Sequence, residues 1–157
     1  MKTSKFWLAV WGYIVELVAA IAILAAIIAV TGTEPVSSVI QISGGRVASH
    51  FGAVMFTASL AMVWTFYAKS DGELADWLNQ MGAFTVYASA FMASVAIYGV
   101  LVFALILAIS TNVLWIDLFA AWLTVLGILN VYTLLRNVFD LMRLSVEFKR
   151  RNSPRNK

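Results

Sequence analysis

Long apolar runs separated by short polar connections dominate the hydrophobic pattern of this chain. A transmembrane helix needs roughly 20 mostly apolar residues, and four segments meet that requirement. They cover residues 6–30, 47–68, 77–109 and 113–135. Because lipid offers no hydrogen-bond partners to bare backbone, each segment is expected to be helical. The pattern predicts an all-α membrane protein, with one domain over residues 1–151 that forms a four-helix, up-down-up-down bundle.

The first apolar run has a second interpretation, as a secretory signal peptide, because basic residues precede it. The run from residue 6 to residue 30 is longer than the roughly 7–15 residues of a signal-peptide core. Glu16 also interrupts it. We therefore interpret the first segment as a retained membrane span.

The third and fourth segments are too long for a bilayer. Residues 77–109 would span roughly 50 Å as a helix, whereas the hydrocarbon core is about 30 Å thick. The fourth segment continues as an amphipathic helix with one charged stripe, formed by Arg136, Asp140, Arg143, Glu147 and Arg151. We expect these two helices to project into the cytoplasm as a hairpin. The alternative is a tail that bends onto the anionic inner leaflet. Residues 152–157 are predicted to be a basic, flexible tail.

The connection between the first two spans, residues 31–46, contains Pro35, a short apolar run and a pair of glycines. Its apolar run is too short to cross a bilayer. The connection is either a small interfacial helix or a loop that packs over the mouth of the bundle. We expect a simple connector rather than a lid or a docking surface.

Composition supports a membrane protein and excludes several kinds of site. Hydrophobic residues make up 62% of the chain and charged residues 12%, against about 25% charged residues in soluble domains. The chain has no cysteine and one histidine, His50. Disulfides, thiol catalysis, cysteine-ligated metals and a haem held by two histidines of one chain are therefore excluded. No cofactor, metal site or catalytic residue is expected.

The basic residues predict the orientation of the spans. Of the 11 lysines and arginines, only Arg46 lies on the outer side when the N-terminus is placed in the cytoplasm. Both termini are therefore expected to be cytoplasmic. The lack of cysteine and of glycosylation sequons fits a bacterial or archaeal cytoplasmic membrane. Acidic residues offset the basic tail, which favours contact with membrane lipid over binding of nucleic acid.

Glu16 is the most informative residue of the sequence, because it lies roughly 14 Å along its helix from the inner edge of the membrane. A carboxyl group at that depth is costly, so it is expected to be paired, protonated or facing a polar cavity. We assign to this intramembrane polar layer Glu16, Tyr13, Ser59, Ser89 and Asn130. The layer is either a site for proton or cation transport, or a hydrogen-bonded pin that fixes helix register or subunit contacts.

Two further groups of residues are candidates for function. The first is a polar group at the outer face, formed by Glu34, Arg46, His50 and Asp117. There Asp117 is expected to pair with Arg46 or His50, as an interfacial anchor or as an access point for ions. The second is a small-residue face on the third helix, formed by Ala90, Ser94 and Gly99. Small residues let helices approach closely, so this face is a packing interface, either within a tight bundle or, because the third helix has more small residues than one core needs, between subunits.

These observations favour a small structural or accessory subunit that assembles with itself or with partner membrane proteins. The alternative is a small proton- or cation-coupled transporter or channel that uses Glu16. No pattern of nucleophile, base and oxyanion donor indicates an enzyme.

Overall fold

A computed structural model of the chain describes the backbone of residues 3–68 and 70–151, and the side chains of residues 13–68 and 70–151. These residues form five helices and no strand: α1 Thr3–Thr31, α2 Thr33–Ala68, α3 Glu73–Gln80, α4 Phe84–Thr111 and α5 Leu114–Arg151. Helices α1, α2, α4 and α5 are long and apolar enough to cross a membrane. The predicted all-helical class with four candidate spans is therefore confirmed. The tail predicted at residues 152–157 lies outside the described residues.

A single residue, Gly32, separates α1 from α2. Its φ of 87° lies in the region that glycine adopts without steric cost. Residues 33–46 are helical and continuous with the second span, so the predicted start of that helix at residue 47 is wrong. Of the two forms expected for this connection, the structure has a helix and not a loop. Pro35 does not prevent this helix, because it lies in the first turn, where backbone N–H groups have no intrahelical partner. The extended α2 buries Ile40 against the rest of the bundle.

Helix α2 packs against α4 through small residues. Gly44, Ala48 and Gly52, four residues apart, are all buried. The last two belong to a π-helical segment, Val47–Gly52, inside α2. A Cβ atom added to Gly52 would lie 2.7 Å from Cγ2 of Val102, so the two backbones approach as closely as glycine allows.

The helix predicted over residues 77–109 is interrupted, so this prediction is wrong. The N–H of Gly82 donates to the carbonyl of Asn79 at 2.9 Å, and that of Ala83 donates to the carbonyl of Leu78 at 2.9 Å. With Gly82 at a φ of 67°, these two bonds form a Schellman motif that ends α3. The 28 residues of α4 then begin at Phe84. The predicted hairpin of two long projecting helices is therefore not formed. The structure has one long helix there, α5, beside the short α3.

Helix α3 packs on the C-terminal part of α5. Ala75 and Leu78 are buried, and the ring of Trp77 lies 5.6 Å from the ring of Phe148. Helix α5 has 38 residues, or about 57 Å of continuous helix, and the predicted continuation of the fourth span to Arg151 is therefore confirmed.

The core lies where α2, α4 and α5 meet. The hydroxyl of Tyr98 donates to the carbonyl of Gly127 at 3.0 Å, and its ring packs perpendicular to that of Phe51 with ring centres 6.0 Å apart. A Cβ atom on Gly127 would lie 3.2 Å from Leu101, which explains why a glycine suits this crossing. Tyr98 and Leu101 are both fully buried.

Helix α1 lies at the periphery. Among its described side chains, residues 13–31, only Ala20 is buried. Val15, Val18 and Ile21 are about 60% exposed, at 61%, 60% and 57%. Such side chains suit a helix that faces lipid. Over residues 13–31, α1 therefore presents most of its surface outward and contacts the bundle along one narrow face.

Replacing Gly52 by alanine tests the close packing of α2 on α4. Gly52→Ala should destabilise the bundle by about 1–3 kcal/mol, because the added methyl group overlaps the stiff side chain of Val102. Unfolding in detergent micelles measures this free energy. Gly45→Ala is the matched control, since its Cβ atom would meet Ile109 at an ordinary 3.7 Å. Adding Val102→Ala should recover part of the loss, and equal effects of both glycine substitutions would contradict this packing.

Candidate functional site

The carboxyl group of Glu16 joins α1 to α5. The hydroxyl of Thr133 donates to Oε1 of Glu16, and Nδ2 of Asn130 donates to Oε2 at 3.4 Å. Asn130 and Thr133 are three residues apart, so one face of α5 supplies both donors. Asn130 is fully buried, and Glu16 and Thr133 are partly buried.

A second contact attaches α1 to α4. The hydroxyl of Tyr13 donates to the carbonyl oxygen of Ala90 at 3.1 Å. The same oxygen accepts a hydrogen bond from Ser94 at 3.2 Å. Of the residues assigned to the intramembrane polar layer, Asn130 thus contacts Glu16 directly, and Tyr13 lies one turn from Glu16 on α1.

The other two predicted members of the polar layer do not join it. Ser59 is fully buried, and its hydroxyl has no partner among the described residues. Ser89 is exposed and donates to the carbonyl of Val86 in its own helix. Sequence reasoning missed Thr133, although its position one turn after Asn130 placed it on the correct face of the helix.

Around Glu16, within the described part of the chain, the structure provides neutral donors and no ion pair. Asn130 retains a buried side-chain oxygen, Oδ1, that has no partner there. Both donors come from a neighbouring helix, and no described chain of hydrogen-bonded side chains leads away from them. The arrangement can hold a carboxyl group between two helices.

Asp117 forms a second buried polar cluster, at the start of α5. Its side chain is fully buried. Oδ2 accepts a hydrogen bond from Ser37 at 2.5 Å, and Oδ1 accepts one from Nε2 of Gln41 at 2.7 Å. Gln41 also donates to the carbonyl of Ala108 at 2.9 Å, so this amide uses both of its hydrogens. The cluster ties α2, α4 and α5 together, and the start of α5 favours a negative charge.

The remaining residues of the predicted outer-face group lie away from Asp117. Arg46 and His50 are exposed, and Nδ1 of His50 lies 2.9 Å from the hydroxyl of Ser49. Glu34 is exposed in the first turn of α2. Arg46 lies five residues beyond Gln41, which rotates it by roughly 140° from the face that contacts α5. The predicted pairing of Asp117 with Arg46 or His50 is therefore wrong, and Ser37 and Gln41 take their place.

The predicted small-residue interface on the third span lies inside the chain. Ala90 and Ser94 are 6% and 2% exposed. A Cβ atom on Gly99 would lie 3.3 Å from the ring of Phe56 in α2. These residues pack helices of one chain together, so their assignment to a contact between subunits is wrong.

The charged stripe of α5 lies on one exposed face, as the sequence predicts. Arg136 is 4.0 Å from Asp140, and Arg151 is 2.5 Å from Glu147. Arg143 is also exposed. Ion pairs of this kind on a helix surface contribute about 0.3–0.5 kcal/mol each, so the stripe does little to stabilise the bundle.

A groove of about 460 Å³ lies between the second half of α2, α3, the start of α4 and α5. Its lining is mostly apolar and contains no ionisable side chain; it includes Met62, Phe66, Leu78, Phe91, Val138 and Met142. Such a lining suits an apolar ligand and offers no group for acid–base chemistry. Among the described residues, no cluster of histidine, aspartate and glutamate is arranged to hold a metal ion.

Comparison of the chain with protein-family models, curated proteins and solved structures found no match.

Replacing Ser37 tests the cluster around Asp117. Ser37→Ala removes one of the donors to a buried carboxylate and should cost about 1.5–3 kcal/mol, the range for hydrogen bonds to charged groups. The free energy of unfolding in detergent measures the loss. Ser38→Ala is the control, because Ser38 is the exposed neighbour and should be neutral. Equal stability of the two variants would show that Ser37 does not hold Asp117.

Proposed function

We propose that this protein is a small integral membrane accessory subunit that assembles with partner membrane proteins or with copies of itself. In this proposal α1, α2, α4 and α5 cross the bilayer in an up-down-up-down order, with both termini in the cytoplasm. The distribution of lysine and arginine supports that orientation. The lack of cysteine favours a bacterial or archaeal cytoplasmic membrane.

The length of α5 is the observation that carries this proposal. At about 57 Å, the helix is nearly twice as long as the hydrocarbon core is thick. Arg136 marks the end of its apolar stretch, and the helix continues unbroken to Arg151. Beyond that point, Phe139, Met142 and Val146 are 62%, 59% and 67% exposed. Exposed apolar side chains on a projecting helix are typical of a surface that contacts another molecule.

The interior polar groups also support a structural role. Glu16 and Asp117 both accept hydrogen bonds from side chains of other helices. Hydrogen bonds of this kind stabilise helix association in lipid, where apolar burial gives little driving force. In this proposal the two carboxyl groups help to hold the bundle together.

The mass of the intact particle tests the proposal. The chain has a mass of 17.2 kDa. Extraction from its native membrane in a gentle detergent, followed by native mass spectrometry, should give a particle of greater protein mass. Multiples of the chain mass would identify self-association, and other increments would identify a partner. A particle of one chain and nothing else would exclude an accessory subunit.

A proton- or cation-coupled transporter is the second candidate, and Glu16 is the observation that favours it. Its carboxyl group is partly buried within a candidate membrane span and has only neutral side chains as described partners. An intramembrane acid of this kind is a functional site by default. Under this proposal Glu16 loads and releases an ion during each cycle.

Substitution of Glu16 separates the two candidates. If Glu16 is structural, Glu16→Gln should be nearly neutral. The amide oxygen of glutamine can accept from Thr133, and its NH2 group can donate to Oδ1 of Asn130, which has no partner among the described residues, once the Asn130 amide turns over. Glu16→Leu should then destabilise the bundle by about 1–2 kcal/mol, as expected for an interhelical hydrogen bond in a membrane. Thermal unfolding in micelles measures both, with the exposed Glu34→Gln as a control. Dissipation of a proton gradient by reconstituted liposomes, lost in Glu16→Gln, would establish the transporter instead.

A further inference from the structure

One exposed apolar stripe runs along α5 with the spacing of a coiled-coil seam. Its members follow each other at steps of four and three residues: Ile128, Tyr132, Leu135, Phe139, Met142 and Val146. Their side chains are between 49% and 70% exposed. Alternating steps of four and three residues give an average of 3.5, the period of helices that wrap around a partner helix. We call these six residues the α5 seam.

The two edges of the α5 seam differ. On one edge lie Val131, Val138 and Ser145, which are partly buried by the protein's own bundle. Val138 and Ser145 line the 460 Å³ groove together with Met142, so the seam is continuous with the groove. This edge carries no charge.

The other edge of the α5 seam carries an arginine every seven residues, at positions 136, 143 and 150. These positions correspond to the e positions of the heptad, which face the flanking residues of a partner helix. The side chain of Arg136 is 69% exposed, and its contact with Asp140 is a long 4.0 Å, so its charge remains available. The acidic residues of the stripe, Asp140 and Glu147, each follow one of these arginines by four residues and lie roughly 40° farther around the helix from the seam than that arginine.

A second copy of the chain is a poor complement to this pattern. In a parallel pair, the arginines at 136 and 143 would face the other copy's uncharged edge, residues 131, 138 and 145. In an antiparallel pair, arginine would face arginine, and like charges oppose association. Neither arrangement places an acidic residue opposite the arginine edge. The complement of the seam is a helix with apolar residues at its a and d positions and Asp or Glu at the flanking positions.

From this charge and heptad pattern, we infer that the part of the α5 seam beyond Arg136 binds an acidic amphipathic helix of a partner protein. The inference rests on the proposed accessory function and specifies the surface and the chemistry of the partner. The part of the seam beyond Arg136 lies outside the proposed span, where water makes burial of Phe139, Met142 and Val146 favourable. The arginine edge then selects the partner and sets its register.

Two synthetic helical peptides test the inference. Each has four heptads with Ile at a and Leu at d; one has Glu at e and g, and the other has Lys there. Binding to the full-length protein in phosphatidylcholine nanodiscs is measured by fluorescence anisotropy. The Glu peptide should bind at least tenfold more tightly than the Lys peptide. The difference should shrink at 1 M salt, where charges are screened over roughly 3 Å.

Variants at exposed positions of α5 identify the surface. Arg136→Glu with Arg143→Glu should reverse the preference between the two peptides. Phe139→Asp should weaken binding of the Glu peptide at least tenfold. Arg46→Glu, the same change of charge at an exposed residue of α2, is the matched control and should leave binding unchanged. All four positions are exposed, and unchanged thermal unfolding in the nanodisc verifies the fold of each variant.

Several results would overturn the inference. They are equal binding of the two peptides, binding of neither, or binding of the Glu peptide that Phe139→Asp leaves intact. If Phe139→Cys links two copies through a disulfide, the seam belongs to a contact with a second copy. If the seam attaches to phosphatidylglycerol vesicles in preference to the Glu peptide, it belongs to the membrane surface. If neither peptide binds but the native particle contains a partner, this surface is rejected and the accessory function is retained. If the native particle contains a single chain, the accessory function itself is rejected.

Discussion

Polar contacts to α5 hold this structure together. In the bilayer that we propose for this protein, lipid is as apolar as the side chains that cover the helices. Burial of apolar area would not drive the four long helices together there as it does in water. The association depends on close packing and on interhelical hydrogen bonds. At one end of α5, Asp117 accepts hydrogen bonds from Ser37 and Gln41 of α2. Farther along α5, Asn130 and Thr133 donate to Glu16 of the peripheral α1. Between these two clusters, Gly127 lets α5 approach the buried Tyr98 of α4.

The four candidate membrane spans follow from the sequence because hydropathy and length alone define them. The boundaries that failed depend on weaker signals. Gly82 ends α3 with a φ of 67°, and a single glycine inside a long apolar run is not by itself a helix terminus. Residues 33–46 have a lower hydropathy than the spans, but the hydrogen bonds of Ser37 and Gln41 to the neighbouring helices favour a continuous helix there.

The buried clusters were only partly predictable for a related reason. Depth in the membrane follows from counting residues, and it correctly brought Asn130 to the level of Glu16. The direction in which a side chain points depends on how the helices rotate and pack, which counting does not give. Ser89 points away from the bundle for this reason, whereas Thr133 points toward Glu16. Small residues present the same difficulty, because Ala90 and Ser94 suit a contact within the chain as well as one between chains.

The unbroken course of α5 has a mechanical consequence. A helix without a hinge transmits rotation along its whole length, and none of the residues from 114 to 151 is a proline. A tilt of about 10° around the end that carries Asp117 would move the far end by about 10 Å, given a length of about 57 Å. The network of Asp117, Ser37 and Gln41 holds one end of this rigid helix, so a change of packing there would be expressed as a larger displacement of Arg151 at the other end.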